Sequence, residues 1–216
     1  MFDFAQARTN MVDSQLRPNG ITDGRILLAY ETIERGDFVP ESMRSVAYMD
    51  GDVALGGGRN LVSPMAFAKM LNAAEIKPND KVLEIGAATG FGAAVLSQLA
   101  GQVVAVEADA ALMAAARENL TNKVNVSLSE NNLTEGFAKG GPYDVILISG
   151  QVENVPEGLF SQLSEGGRLI AAIGSGRVAR CCVWTRSGAN HTQRYLFDLS
   201  IATLAGFGKP AVGFAF

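Results

Sequence analysis

The residues best placed to do chemistry lie in one short run, Val82-Leu83-Glu84-Ile85-Gly86-Ala87-Ala88-Thr89-Gly90-Phe91-Gly92. An apolar stretch of strand length ends at Ile85, glycines follow where the chain must turn tightly, and a helix-forming sequence begins at Phe91. Such a turn lets a ligand approach the backbone and meet the free amides of the helix start. The next apolar run, Val103–Glu107, closes on an acid 21 residues after the first glycine (107 − 86). From that distance a carboxylate binds ribose hydroxyls. Glycine turn and acid together point to a nucleotide-type ligand.

The glycine spacing says which kind. A dinucleotide fingerprint needs glycines at Gly86, two residues later and five later, and those last two places hold Ala88 and Phe91. Glu84, two residues before the first glycine, faces the turn and suits a cationic amino-acid tail. S-adenosylmethionine has such a tail and NAD does not. The plain alternative is a turn that binds nothing, with Glu84 capping its amides.

Other candidate chemistry is thin. The single histidine, His191, sits among Asn190, Thr192 and Gln193 and reads as a turn residue more than a general base. One histidine and a cysteine pair cannot supply three or four spaced metal ligands. Ser175, inside Gly174-Ser175-Gly176, has no helix after it and so is not a nucleophile elbow. Trp184 reads as core packing. Ser149-Gly150-Gln151, after the fourth strand, lacks the Asn/Asp-Pro-Pro-aromatic tetrad that resembles amino-group methyltransferases of nucleic acids.

The elements that must position these groups follow from periodicity. The 216 residues are 48% apolar and 19% charged, enough for one α/β domain with a buried core. Up to about Ala74 the chain reads as helical and irregular. Phe4, Met11, Val12 and Leu16 share a helix face, a second helix is expected from Thr22 to about Arg35, Gly56-Gly57-Gly58 marks a flexible loop, and a helix follows Pro64. Then Lys81–Ile85, Val103–Glu107, Val124–Leu128, Val145–Ser149 and Arg168–Ile173 alternate with helices over Phe91–Leu99 and Ala110–Leu120. Alternation of this kind demands right-handed crossovers and a parallel sheet. Val178–Thr185, Tyr195–Ala202 and Ala211–Phe216 read as antiparallel strands. The expectation is one domain over 1–216: a helical cap over 1–75 and, over 76–216, a Rossmann-like doubly wound, mostly parallel sheet with helices on both faces and antiparallel C-terminal strands. The net charge of −4 offers no basic footprint for nucleic acid. No apolar run reaches membrane-spanning length, the start Met1-Phe2-Asp3-Phe4 lacks a signal-peptide pattern, and adjacent Cys181 and Cys182 read as reduced thiols in a strand. A cytoplasmic protein is expected; oligomeric state is not legible.

In the order of its motifs the chain resembles the protein L-isoaspartate O-methyltransferases, which methylate the abnormal carboxylate of isoaspartyl residues. The resemblance begins at Ile33-Glu34-Arg35-Gly36-Asp37-Phe38-Val39-Pro40 with Ala47-Tyr48-Met49-Asp50. It runs on through Ser63-Pro64-Met65-Ala66-Phe67-Ala68-Lys69-Met70, the 82–96 segment, Asp144-Val145-Ile146-Leu147-Ile148, Val155-Pro156 and Gln162-Leu163-Ser164-Glu165-Gly166-Gly167-Arg168-Leu169. It implies that Glu84, Gly86 and Gly90 hold the methionine end of S-adenosylmethionine, Glu107 the ribose and Asn132, where the family has Asp, the adenine amino group. Ala88 replaces the family's middle glycine, a mild change if the backbone there is not left-handed. The family's Ser-x-Pro serine falls at Val62, and the strand end near Ile173-Gly174 lacks its Pro-Val-Gly. Ser63 is therefore the candidate hydroxyl at the acceptor, or else the cap of the helix beginning at Pro64. Proteins or peptides carrying isoaspartyl residues are the implied substrate, and protein repair the implied role. Two other readings stay open: a methyltransferase with a different acceptor, and a non-catalytic S-adenosylmethionine-binding relative.

Overall fold

The computed structural model describes residues 3–207, so the strand expected over Ala211–Phe216 lies outside the described residues. Asp3 caps the first helix, α1 (Phe4–Met11), by accepting from the Gln6 amide. The chain winds on through a wide turn over Val12–Leu16 and a tight one over Arg17–Asn19, and Gly20 stops it at φ 83°. Met11, Val12 and Leu16 are buried, as their spacing predicts. The second helix, α2 (Gly24–Thr32), is shorter at both ends than the sequence suggests. Asp23 is its cap, its carboxylate accepting from the Arg25 amide, and Ile33 is already extended.

Gly56-Gly57-Gly58 corrects another expectation. The glycines turn an antiparallel hairpin of β1 (Val53–Gly56) and β2 (Arg59–Leu61), with φ of 96°, 57° and 74° that favour glycine. Strands of four and three residues are too short to show alternation in a sequence. Helix α3 (Pro64–Ala74) follows, with Ser63 as its cap and Pro64 at its first position.

The remainder is β3 (Lys81–Ile85), α4 (Phe91–Leu99), β4 (Gln102–Glu107), α5 (Ala110–Asn119), β5 (Val126–Glu130), β6 (Tyr143–Val152), a short α6 (Glu157–Phe160), β7 (Leu163–Ile173), β8 (Ala179–Ser187) and β9 (Asn190–Leu199). One seven-stranded sheet runs β5-β4-β3-β6-β7-β8-β9, parallel from β5 to β7 and antiparallel beyond. This is the Rossmann-like arrangement expected. The strand order reverses beside β3, so β4 and β6 flank it and a crevice opens at their carboxyl ends. β5 begins two residues later than its apolar run, because Val124 is fully exposed ahead of the sheet edge. One core cluster joins Met11, Leu27 and Tyr30 of the N-terminal stretch to Phe67 of α3 and Val95 of α4; another packs Leu159 and Phe160 against Trp184 on the other sheet face. His191 lies inside β9 and not in a turn, its ring stacked 3.9 Å from that of Phe160. Cys181 and Cys182 are buried free thiols in β8. Among the described residues no helix is long and apolar enough to cross a membrane.

Candidate active site

β3 delivers Glu84 and then the glycine turn to the crevice. Gly86, at φ 85°, and Ala87 both donate their amides to the Val106 carbonyl, which folds the turn over the end of β4. Ala88 is left-handed, at φ 51°, so the replacement of the family's glycine is a strained one. Gly90, at φ 95°, begins α4 with no side-chain cap, which leaves the first amides of that helix open. Thr89 anchors the turn from outside: its hydroxyl donates to the Phe38 carbonyl, and its own carbonyl accepts from Asn119.

Glu84 is buried beneath the start of α4. A Cβ on Gly92 would lie 1.9 Å from Glu84 Oε1, so only glycine at 92 leaves room for the carboxylate. Ser149, in the carboxyl half of β6, donates to Oε1 at 2.7 Å, whereas Oε2 has no partner. Burial pushes the carboxyl up to about 7; the Ser149 hydrogen bond works against this and the Glu107 charge adds to it. Glu84 also lines a small cavity of about 20 Å³ together with Asn60, Leu61, Val62, Phe67, Phe91 and the turn.

Glu107, fully buried at the end of β4, is saturated. Arg59 grips both of its oxygens through Nη1 and Nη2, the second at 2.8 Å. The amides of Ala88, Ala108 and Asp109 donate to the same carboxylate at 2.7, 2.8 and 3.0 Å. Asn132 is exposed and turned onto its own loop, with Oδ1 accepting from both the amide and the hydroxyl of Thr134. The acceptor lone pairs that an adenine amino group would need are thus engaged. Arg59, Asp109 and Asn132 line an open pocket of about 360 Å³ together with Ala205 and Gly206.

Ser63 settles as a cap. Its Oγ accepts from the Ala66 amide at 3.3 Å, and its own amide donates to Asp52 Oδ1. Val62, not Ser63, lines the cavity beside Glu84. The Ser63 hydroxyl is turned toward the first turn of α3.

Four further residues matter that the sequence did not single out as site residues. Ser149 orients Glu84; its only signal is a hydroxyl at the carboxyl end of a strand adjoining β3. Arg35, fully buried, donates to the Ala47 and Val62 carbonyls and lies 4.7 Å from the Phe91 ring centre, so it braces the wall of the cavity. Burial pushes its guanidinium down to about 10. Arg59 and Leu204 carry no local signal at all. Leu204 sits on the turn because 201–207 runs beside the end of β6: Gln151 donates to the Ala202 carbonyl and accepts from the Leu204 amide, both at 2.8 Å. The Ala202 amide donates to Asp52 Oδ2 at 2.6 Å.

Comparison with known proteins agrees with this geometry. The family model of protein-L-isoaspartate(D-aspartate) O-methyltransferase matches residues 6–202. A protein-L-isoaspartate O-methyltransferase of Koribacter versatilis is 41% identical over 197 residues, covering 90% of this chain and 88% of that one. A Marinobacter nauticus protein of the same name, numbered 2, is 36% identical over 94% of this chain and 95% of its own. A solved protein-L-isoaspartate O-methyltransferase superposes with a TM-score of 0.78 at 27% identity over 92% of this chain, which spans 66% of that protein's length. A Plasmodium falciparum structure holding S-adenosyl-L-homocysteine shares the fold, with a TM-score of 0.78 at 19% identity over 94% of this chain and 99% of that one.

Proposed function

The chain belongs to the protein-L-isoaspartate(D-aspartate) O-methyltransferase family, and we propose that it methylates the carboxylate of isoaspartyl residues in damaged proteins, with S-adenosylmethionine as donor. The observation that carries the reading is Glu84 Oε2, a buried carboxylate oxygen with no partner, at the glycine turn. A ligand donor satisfies it, and an ammonium group does so with a charge-assisted bond. The residues at this end of the crevice therefore fit the cofactor's methionine tail: Glu84 for the ammonium, with Gly86 and Gly90 keeping the backbone open to it. Glu107 is the carboxylate assigned to the ribose in this reading.

When bound, S-adenosylmethionine supplies a methyl group on a cationic sulfur. The chain's own task is then positioning. An acceptor carboxylate with a pKa near ~4 is already ionised at neutral pH, so no side chain has to remove a proton. Leu61, Val62, Phe67 and Phe91 give the wall beside Glu84 an apolar surface, and a site bounded by such surface strengthens the attraction between acceptor anion and donor cation. Holding two reactants in line supplies on the order of 7–11 kcal/mol.

Val62 favours a second reading, in which the acceptor is another carboxylic acid, since the family's serine hydroxyl is missing from the cavity wall. The decisive assay is transfer of radiolabelled methyl to an isoaspartyl peptide beside its aspartyl twin. Label in the first peptide alone supports repair; label in neither, with S-adenosylhomocysteine still bound, supports the second reading. Free buried Cys181 and Cys182 support a cytoplasmic setting, and the net charge of −4 supports a protein rather than a nucleic-acid partner.

A further inference from the structure

The carboxylate that should meet the ribose is held by the protein itself. A carboxylate offers about four acceptor positions. Glu107 already receives two donors from Arg59 and three from backbone amides. The amides belong to the glycine turn and to the β4–α5 junction, and cannot leave without unmaking them. Arg59 is different: it is a side chain on a short hairpin, reaching across from β2.

Leu204 completes the obstruction. Its methyl carbons lie 2.9 and 3.0 Å from where a Cβ on Gly86 would stand, and its own Cβ lies 2.8 Å from one on Gly150. Leu204 thus rests directly on Gly86, just past β3, and on Gly150, in the carboxyl half of β6, the strip of backbone that a ligand must approach. On one side of it and Arg59 remains the cavity of about 20 Å³ at Glu84, room for roughly one water. On the other is the open pocket of about 360 Å³ at Asn132.

We infer that Arg59 and Leu204 are internal competitors of the cofactor, so that its affinity is set by the cost of lifting the β1–β2 hairpin and the 201–207 strap from the glycine turn. The inference rests on the S-adenosylmethionine reading above. The two movements are linked through Asp52, which directly precedes the hairpin and accepts from both the Ala202 amide of the strap and the Ser63 amide at its far end. Burial raises the Asp52 carboxyl from its usual range. Loosening the hairpin therefore loosens the strap.

Calorimetric titration with S-adenosylhomocysteine tests this on wild type, Arg59→Ala and Leu204→Ala. Both variants bind more tightly, by up to about tenfold if the obstructed form is nine-tenths populated. In Arg59→Ala the three amides stay on Glu107 and offset part of the loss of its counter-charge, and affinity is read on the folded fraction. Hydrogen exchange on the wild type gives a reading that needs no variant: saturating S-adenosylhomocysteine speeds exchange of the Ala202 and Leu204 amides. Wild-type binding with unchanged or weaker affinity in Arg59→Ala overturns the inference and makes Arg59 a ligand contact. Unchanged or slowed exchange across 201–204 overturns it too. Binding by none of the three proteins overturns the S-adenosylmethionine reading and the inference with it.

Discussion

Replacing Glu84 by Gln separates what the carboxylate costs the fold from what it gives the ligand. Burial lifts this group from 4.5 to about 7 in the folded chain. The folded state then keeps a proton that the unfolded state has lost, so the stability it contributes is complete below about pH 4.5 and is lost as pH rises to about 7. At 1.36 kcal/mol per pH unit, the loss is roughly 3 kcal/mol. Gln bears no charge and still offers a carbonyl oxygen to the Ser149 hydroxyl. Glu84→Gln should match wild type near pH 4.5 and be more stable by roughly 3 kcal/mol at pH 8, a rise in Tm of about 6–12 °C for a chain of this size. It should lose affinity for S-adenosylhomocysteine at pH 8 by about ten- to a hundredfold, the worth of a charge-assisted contact. Urea denaturation of both proteins at the two pH values reads the first effect, and calorimetry the second. A stability difference that stays flat between pH 4.5 and 8 would refute the reasoning, because Glu84 would then be ionised without cost or open to solvent.

Ser63→Ala should lower stability by about 1 kcal/mol and leave methyl transfer per folded molecule nearly unchanged; a large fall in rate at unchanged stability would return Ser63 to the acceptor site. Glu107→Ala leaves Arg59 buried without its counter-charge and should cost about 3–5 kcal/mol in urea denaturation; a variant as stable as wild type would show that the pair does not hold the hairpin down. Ala88→Gly should raise stability by about 1 kcal/mol, since alanine at φ 51° carries a left-handed cost that glycine does not; an unchanged Tm would mean that the turn has relaxed.

The sheet was legible in the sequence because its strands are buried by neighbours near in the chain. β3 and α4 have the expected bounds, Lys81–Ile85 and Phe91–Leu99, since apolar residues fill both and glycine separates them. Boundaries slipped where burial gives way to edge. β5 is half exposed, so its polar end at Glu130 looks like loop, while Val124 looks like strand and stands in solvent. The β1–β2 hairpin was illegible for another reason: its strands are shorter than one full cycle of any pattern that a sequence can display.

For the candidate site, spacing told where groups would stand and not what they would already be holding. Glu84, Gly86, Gly90 and Glu107 do converge on one crevice, because each is fixed to the end of a strand or the start of a helix. Glu107 alone would have read as a free acid. Its partner is 48 residues away, on a hairpin the pattern had hidden, and nothing local distinguishes Arg59 from a solvated cation. Leu204 is more distant still and shows only as one apolar residue in a short irregular stretch. An acid with five donors is a structural tie until something frees it, whereas an acid with an unpartnered oxygen, such as Glu84, is ready for a ligand as it stands. The two carboxylates of one motif are therefore unequal. Glu84 has an oxygen left for a donor, and on the inference above the hold of Arg59 on Glu107 makes occupancy depend on the hairpin and the strap.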